Sequence, residues 1–103
     1  MLQTGIIGTA EVEVKAENTA RVMKSGELEV FATPAMVALA EEAASRSVAS
    51  YLNPGETTVG TLVNLEHLAA TPVGMTVTAE SRLIEVDGRR LVFEIHVRDQ
   101  QGE

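Results

Sequence analysis

Apolar and charged residues alternate near the start of the chain, between positions 10 and 15. The residues in this run are Ala10, Glu11, Val12, Glu13, Val14 and Lys15. Because successive side chains of a strand point to opposite faces, the alternation predicts a half-buried strand.

A long helix is predicted in the middle of the chain. Thr33 is typical of an N-cap, and Pro34 suits the first helical position, where its missing N–H would have had no partner. No glycine or proline interrupts positions 34–51, and Asn53-Pro54-Gly55 ends the pattern. Apolar residues at helical spacing are expected on one side: Met36, Val37, Ala40, Ala44, Val48 and Tyr51.

The second half of the chain predicts three strands joined by turns. Positions 57–68 are rich in Thr, Val and Leu, which favours a strand. A turn at 71–74 precedes a second predicted strand over 75–86, and Asp87-Gly88 predicts a tight hairpin into a third strand over 90–98. Its apolar face is formed by Leu91, Phe93, Ile95 and Val97, and its polar face by Glu94, His96 and Arg98.

One helix with a wide apolar face, followed by an antiparallel meander, predicts a single α+β domain over residues 1–103. A curved antiparallel sheet that wraps the long central helix would cover that face. The chain ends in a predicted turn, so a last C-terminal strand is expected to be missing and one sheet edge to be unprotected. An exposed edge pairs readily with another chain, which favours a homo-oligomer.

Composition narrows the classes of function. The net charge is −7, from 15 acidic and 8 basic residues, which argues against nonspecific nucleic-acid binding. The absence of cysteine excludes disulfides and thiolate metal sites, and it is compatible with a cytoplasmic protein. Two histidines far apart in sequence make a poor zinc site, so no metal is expected. We find no signal peptide and no apolar run that would span a bilayer, so no membrane partner is expected.

Two neighbouring acids on the predicted helix differ in their surroundings. Glu42 precedes Arg46 by four positions, which favours a solvated surface pair. Glu41 lies instead at the border of the apolar stripe, near Val37 and Val48. It is either an acid that reaches water from the boundary, or a partly desolvated carboxylate that could act as a general base or nucleophile.

The two histidines also differ. His67 shares a predicted strand face with Val63 and Leu65, whereas His96 lies on a polar face with Glu94. The contrast favours His67 as the functional histidine. A single histidine on an apolar face is also common in protein cores, and the residues alone leave both interpretations open.

Thr33 and Gly60 complete the candidate residues. Capping alone explains Thr33, and a functional hydroxyl is the alternative. Thr33 and Glu41 are eight positions apart, or about 12 Å along a helix axis, so they share no direct hydrogen bond. Gly60, inside a predicted strand, marks either a bend of the sheet or an exposed backbone N–H that could stabilise an oxyanion.

Taken together, these features resemble the hotdog-fold thioesterases, and most closely the fluoroacetyl-CoA thioesterase-like branch. The resemblance covers roughly residues 8–99 and rests on four segments. These are 30–41 (VFATPAMVALAE), 52–61 (LNPGETTVGT), 67–75 (HLAATPVGM) and 86–91 (VDGRRL).

The resemblance implies a hotdog fold and the hydrolysis of a small acyl-CoA thioester, with no cofactor apart from the CoA of the substrate. It implies Thr33, Glu41 and His67 as catalytic residues and Gly60 as the backbone donor to the substrate carbonyl. It also implies a homodimer with the thioester bound between the subunits. Thr33 and Glu41 could then act on one substrate from different subunits, despite their separation along the helix. The lid region of the fluoroacetyl-specific enzyme is not matched by an aromatic residue near Glu27. A hotdog dimer that binds acyl-CoA without turnover, or is purely structural, is the alternative function.

Overall fold

The structure is a computed structural model, and it describes residues 2–28, 30–58, 60 and 71–99. Within these residues one α-helix packs against a three-stranded antiparallel sheet in the order β1-β2-β3. The strands are β1 (Ile7–Glu13), β2 (Thr76–Asp87) and β3 (Arg90–Arg98), and the helix is α1 (Thr33–Val48). The α+β prediction is therefore confirmed. Of the strand predicted over 57–68, the structure describes 57, 58 and 60, none of them in a strand, and the rest lies outside the described residues.

The β2–β3 hairpin turns where the sequence predicts it. Asp87 pairs with Arg90, so the connection is the two-residue turn Gly88-Arg89. Gly88 has a φ of 60°, which suits the first central position of a tight hairpin and which a glycine adopts without steric cost. A bulge at Ile84 shifts the register between Leu83 and Glu85. The sequence pattern did not predict this bulge.

The start of α1 differs from the prediction by one residue. Ala32, not Thr33, is the N-cap, with extended dihedral angles and no side-chain capping bond. The reason is that the Ala32 carbonyl accepts the first helical hydrogen bond from the Met36 N–H at 3.0 Å. Thr33 is thus the first helical residue. At the other end, residues 49–51 continue as a 3-10 turn instead of α-helix.

Small residues bring α1 close to the inner face of the sheet. The core cluster contains Ala10, Val14, Phe31, Leu39, Ala43, Val77 and Ala79. A Cβ built on Gly8 of β1 would lie 2.5 Å from the carbonyl oxygen of Ala43 and would overlap the side chain of Ser47. The backbone of β1 therefore lies directly on the C-terminal half of the helix.

The predicted apolar side of α1 is partly wrong. Ala44 and Val48 are buried as expected, but Met36, Val37 and Ala40 are only half-buried and Tyr51 is 45% exposed. Leu39 and Ala43, which the prediction omitted, are buried in the core. Alanines occur around most of this helix, so apolar spacing alone does not fix which side faces the sheet.

Candidate functional site

Glu41 and Glu42 are both exposed, and they differ in the residues that they contact. Glu42 lies on the surface, where its Oε2 forms an ion pair with Nη1 of Arg46 at 2.7 Å. Glu41 is also exposed in the single chain, which agrees with the interpretation of an acid that reaches water from the boundary of the apolar side. The reason is that Glu41 lies at the rim of α1, away from the core residues Leu39 and Ala43. Glu41 forms no hydrogen bond or ion pair with another described residue.

The Glu41 carboxylate lies directly against Gly60. A Cβ built on Gly60 would overlap Oε2 of Glu41 and would lie 3.4 Å from its Cδ. The structure thus brings together two residues that are 19 positions apart and that the sequence analysis selected for different reasons. A carboxylate beside an exposed glycine backbone could act as a base or nucleophile next to an oxyanion donor.

Thr33 occupies the first position of α1 and is exposed. The two residues that precede Thr33 are buried: Phe31 is 2% exposed and Ala32 is fully buried. The N–H of Phe31 donates to the carbonyl of Thr71 at 2.8 Å, and the N–H of Ala32 donates to the carbonyl of Asn18 at 2.9 Å. The sequence analysis did not select Asn18 or Thr71, since a one-dimensional pattern carries no signal for such distant contacts.

His67 lies outside the described residues, so its predicted role stays a prediction. His96 lies on the outer face of β3, with its Nε2 3.1 Å from Oε1 of Glu94. This agrees with its assignment to a polar strand face. Among the described residues, no three histidine or acidic side chains stand together in a way that could hold a metal ion.

A groove in the described part of the chain lies on the outer face of the sheet. It has a volume of about 510 Å³ and is lined by Thr9, Thr78 and Arg98, among other residues. Neither Glu41, Gly60 nor Thr33 lines it. The groove is therefore separate from the candidate site.

The basic residues differ in their availability for an anionic ligand. Arg46 is paired with Glu42, and Arg90 is paired with Glu85 at 2.8 Å. Lys24 and Arg89 form no ion pair with another described residue. Among these four basic residues, Lys24 and Arg89 are thus the two without an ion pair to the part of the chain that the structure describes. No helix in the described ranges is both long and apolar enough to cross a membrane.

Comparisons with known proteins place the chain in a family. The profile of the family described as FlK, fluoroacetyl-CoA-specific thioesterase, matches residues 14–103. The fluoroacetyl-CoA thioesterase of Streptantibioticus cattleyicolor is 49% identical over 75 residues, which are 73% of this chain and 54% of that protein. The chain thus spans about half the length of this curated relative.

Solved structures confirm the predicted hotdog fold. A variant of the FlK thioesterase in complex with acetyl-CoA superposes with a TM-score of 0.93 at 37% identity, over 99% of this chain and 81% of the other. A hot-dog-like protein from Thermanaerovibrio acidaminovorans superposes with a TM-score of 0.84 at 24% identity, over 96% and 73%. The second likeness supports the fold alone.

Proposed function

Because this chain belongs to the fluoroacetyl-CoA-specific thioesterase family, we propose that it hydrolyses a small acyl-CoA thioester to the free acid and CoA. The single observation that carries the proposal is the contact of the Glu41 carboxylate with the backbone at Gly60. The contact supports the proposal because acyl transfer requires a nucleophile or base beside an oxyanion donor, the roles that we propose for Glu41 and Gly60.

In the proposed mechanism, the Gly60 N–H binds the thioester carbonyl oxygen as negative charge develops on it. Glu41 either attacks the carbonyl carbon, which forms a mixed anhydride that water then hydrolyses, or takes a proton from a water molecule that attacks the same carbon. In both routes the C–S bond breaks, CoA leaves as a thiolate and takes up a proton, and Glu41 returns to its starting state. His67 holds or exchanges a proton at the reacting centre. Thr33 positions the acyl group or the water. The reaction needs no cofactor apart from the CoA portion of the substrate.

We also propose that the active form is a homodimer with the thioester bound between the subunits. Thr33 and Glu41 are about 12 Å apart along α1, so one small acyl group cannot contact both within a single chain. A second subunit would supply one of them and would cover Glu41, which is exposed in the single chain. Sedimentation equilibrium at micromolar concentration should give twice the chain mass, and a monomer mass with full activity would contradict this part.

The proposal includes a cytoplasmic location and excludes nucleic acid and membrane as partners. The acidic net charge of −7 supports the exclusion of nucleic acid. An acidic protein can still bind CoA phosphates through local cations, and Lys24 and Arg89 are available for that purpose.

Thiol release from a panel of short acyl-CoAs tests the proposal. We expect turnover with C2 to C4 acyl groups, and we expect His67→Ala to lose most of it while still folding. A folded His67→Ala protein as active as the wild type would remove His67 from the site.

The alternative function is a hotdog dimer that holds acyl-CoA without turnover. The exposed position of Glu41 in the single chain favours it, because a carboxylate in water is a weak nucleophile. Isothermal titration calorimetry with CoA and acetyl-CoA distinguishes the two functions. Tight binding without thiol release from any acyl-CoA would establish the alternative.

A further inference from the structure

The helix start that carries Thr33 has no side-chain cap. Ala32 is the N-cap, and its methyl group can accept no hydrogen bond. Hydrogen bonds from the preceding backbone fix the helix start instead. The N–H of Phe31 donates to Thr71 and the N–H of Ala32 donates to Asn18, at 2.8 and 2.9 Å. The two acceptors belong to segments that are far apart in sequence and that hold the Phe31-Ala32 backbone from both sides.

Each acceptor is fixed by its own side chain. Oγ1 of Thr71, a residue that is only 7% exposed, donates to Oδ2 of Asp99 at 3.1 Å, just beyond the end of β3. Asn18 donates from Nδ2 to the Glu13 carbonyl at 3.0 Å. Its Oδ1 accepts from the Lys15 N–H at 2.9 Å. We call these two backbone contacts, Phe31 with Thr71 and Ala32 with Asn18, the clamp, and each contact is one arm of it. The Thr71 arm is connected to the residue after β3, and the Asn18 arm to the end of β1.

We propose that Asn18 and Thr71 are positioning residues that fix the Thr33 hydroxyl relative to Glu41. The inference rests on the proposed role of Thr33 in the site. Two buried peptide groups precede Thr33, so a shift of either acceptor moves the first turn of α1 and the Thr33 hydroxyl with it. Misplacement of a catalytic group by about 1 Å can cost about 100-fold in rate, which makes such support necessary.

Thr71→Val tests one arm, because valine keeps the shape of the side chain and removes the bond to Asp99. We expect kcat on the best short acyl-CoA to fall about tenfold while KM changes by less than about twofold. Thr71→Ser, which keeps the hydroxyl, should recover most of the loss. Asn18→Ala, which removes both side-chain bonds of the other arm, should show the same division between kcat and KM.

A double-mutant cycle separates positioning from general stability. If Thr71 acts through Thr33, Thr71→Val should have no further effect on kcat in a Thr33→Ala background. Independent and additive losses would overturn the proposal. Ser81→Ala is the matched control, because Ser81 is a fully buried hydroxyl whose Oγ donates to the Gly8 carbonyl at 3.5 Å, on a different part of the fold. We expect this variant to lose stability and to keep its kcat.

Amide hydrogen exchange provides a readout that does not depend on activity. Thr71→Val should raise the exchange rate of the Phe31 amide, and Asn18→Ala that of the Ala32 amide, beyond the change in global stability. Unchanged exchange at both amides would reject the clamp, even if the wild type is an active thioesterase. A wild type inactive on every acyl-CoA would instead overturn the proposed function, and the positioning role would fall with it.

Discussion

Two glycines contact α1, and the kind of atom that each one meets differs. Gly8 of β1 lies against the backbone of the helix, with the Ala43 carbonyl oxygen 2.5 Å from where a Cβ would be. Gly60 lies against the tip of one side chain, the Glu41 carboxylate. Neither glycine has a positive φ, so both could carry a side chain as far as the backbone conformation is concerned.

The difference indicates what each glycine is for. A helix backbone cannot move without loss of its packing against the sheet, so Gly8 serves the close approach of β1 and α1. A glutamate side chain changes rotamer easily, so the fold does not need a glycine at position 60. The position of the Glu41 carboxylate does depend on this glycine, because any side chain at position 60 would displace the carboxylate. We therefore assign the first contact to stability and the second to the proposed chemistry.

The largest expected effect is that of Glu41→Gln on turnover. Removal of the base or nucleophile should lower kcat by about 10² to 10⁴-fold. The melting temperature should stay close to that of the wild type, since the side chain is exposed. Steady-state kinetics on a short acyl-CoA, together with a thermal denaturation curve, measures both quantities.

Glu42→Gln is the matched control, with the same chemical change one position along the helix. Because Glu42 faces solvent and pairs with Arg46, we expect its kcat to stay within about twofold of the wild type. Equal losses in the two variants would mean that Glu41 has no special role and that the Gly60 contact is incidental.

Gly8→Ala should have the largest effect on stability among these tests. The added methyl group would meet the Ala43 carbonyl and the Ser47 side chain, and such overpacking costs about 1–3 kcal/mol. For a domain of this size the melting temperature should fall by about 4–20 °C. Gly26→Ala is the control, since its Cβ would lie 3.4 Å from that of Ala20, and we expect a small change there. Equal stability of the two variants would contradict the claim that the fold requires a glycine at position 8.

Gly60→Ala tests the claim that the glycine at position 60 serves the proposed chemistry and not the fold. The fold should lose less than about 0.5 kcal/mol, because only a flexible side chain has to move. Turnover should fall about tenfold, because the displaced carboxylate no longer lies beside the carbonyl to be attacked. In a Glu41→Gln background the substitution should have no further effect on kcat. A strong loss of stability with unchanged kcat would show that Gly60 serves the fold instead.

The sequence predicted the elements well where local signals agree. The turn residues at 71–74 and the glycine at 88 mark chain reversals, and alternation marks β3, so these features needed no tertiary information. For β1 the alternation over 10–15 coincides with the strand only at 10–13, because the strand begins earlier, at Ile7. The side of α1 that faces the sheet was not predictable in the same way. In an alanine-rich helix many positions are small and apolar, and contact with Gly8 decides the orientation.

The candidate residues could be selected from the sequence, but their arrangement could not. The sequence pattern singled out Glu41 and Gly60 for different reasons, the family resemblance added roles for both, and the structure puts them in contact. The sequence left open whether Glu41 reaches water or is partly desolvated, and the structure shows it exposed in the single chain. The bond between Thr71 and Asp99 joins residues 28 positions apart, and neither residue belongs to a motif that predicts it.

The smallest expected effect concerns Arg46→Ala, which extends the comparison to a contact between two flexible side chains. Arg46 and Glu42 meet at 2.7 Å, but both side chains are about half exposed or more, at 68% and 49%. Water screens the attraction, and ordering two long side chains costs entropy, so an (i, i+4) pair of this kind contributes about 0.3–0.5 kcal/mol. We expect a loss in that range by urea denaturation at low salt, and a smaller one at 1 M salt, where the pair is screened. The two contacts of flexible side chains thus cost the fold little, whereas the contact of Gly8 with a rigid helix backbone costs more. A loss for Arg46→Ala as large as that for Gly8→Ala would contradict this difference, because it would show that the rigidity of the contacting atoms does not decide the cost.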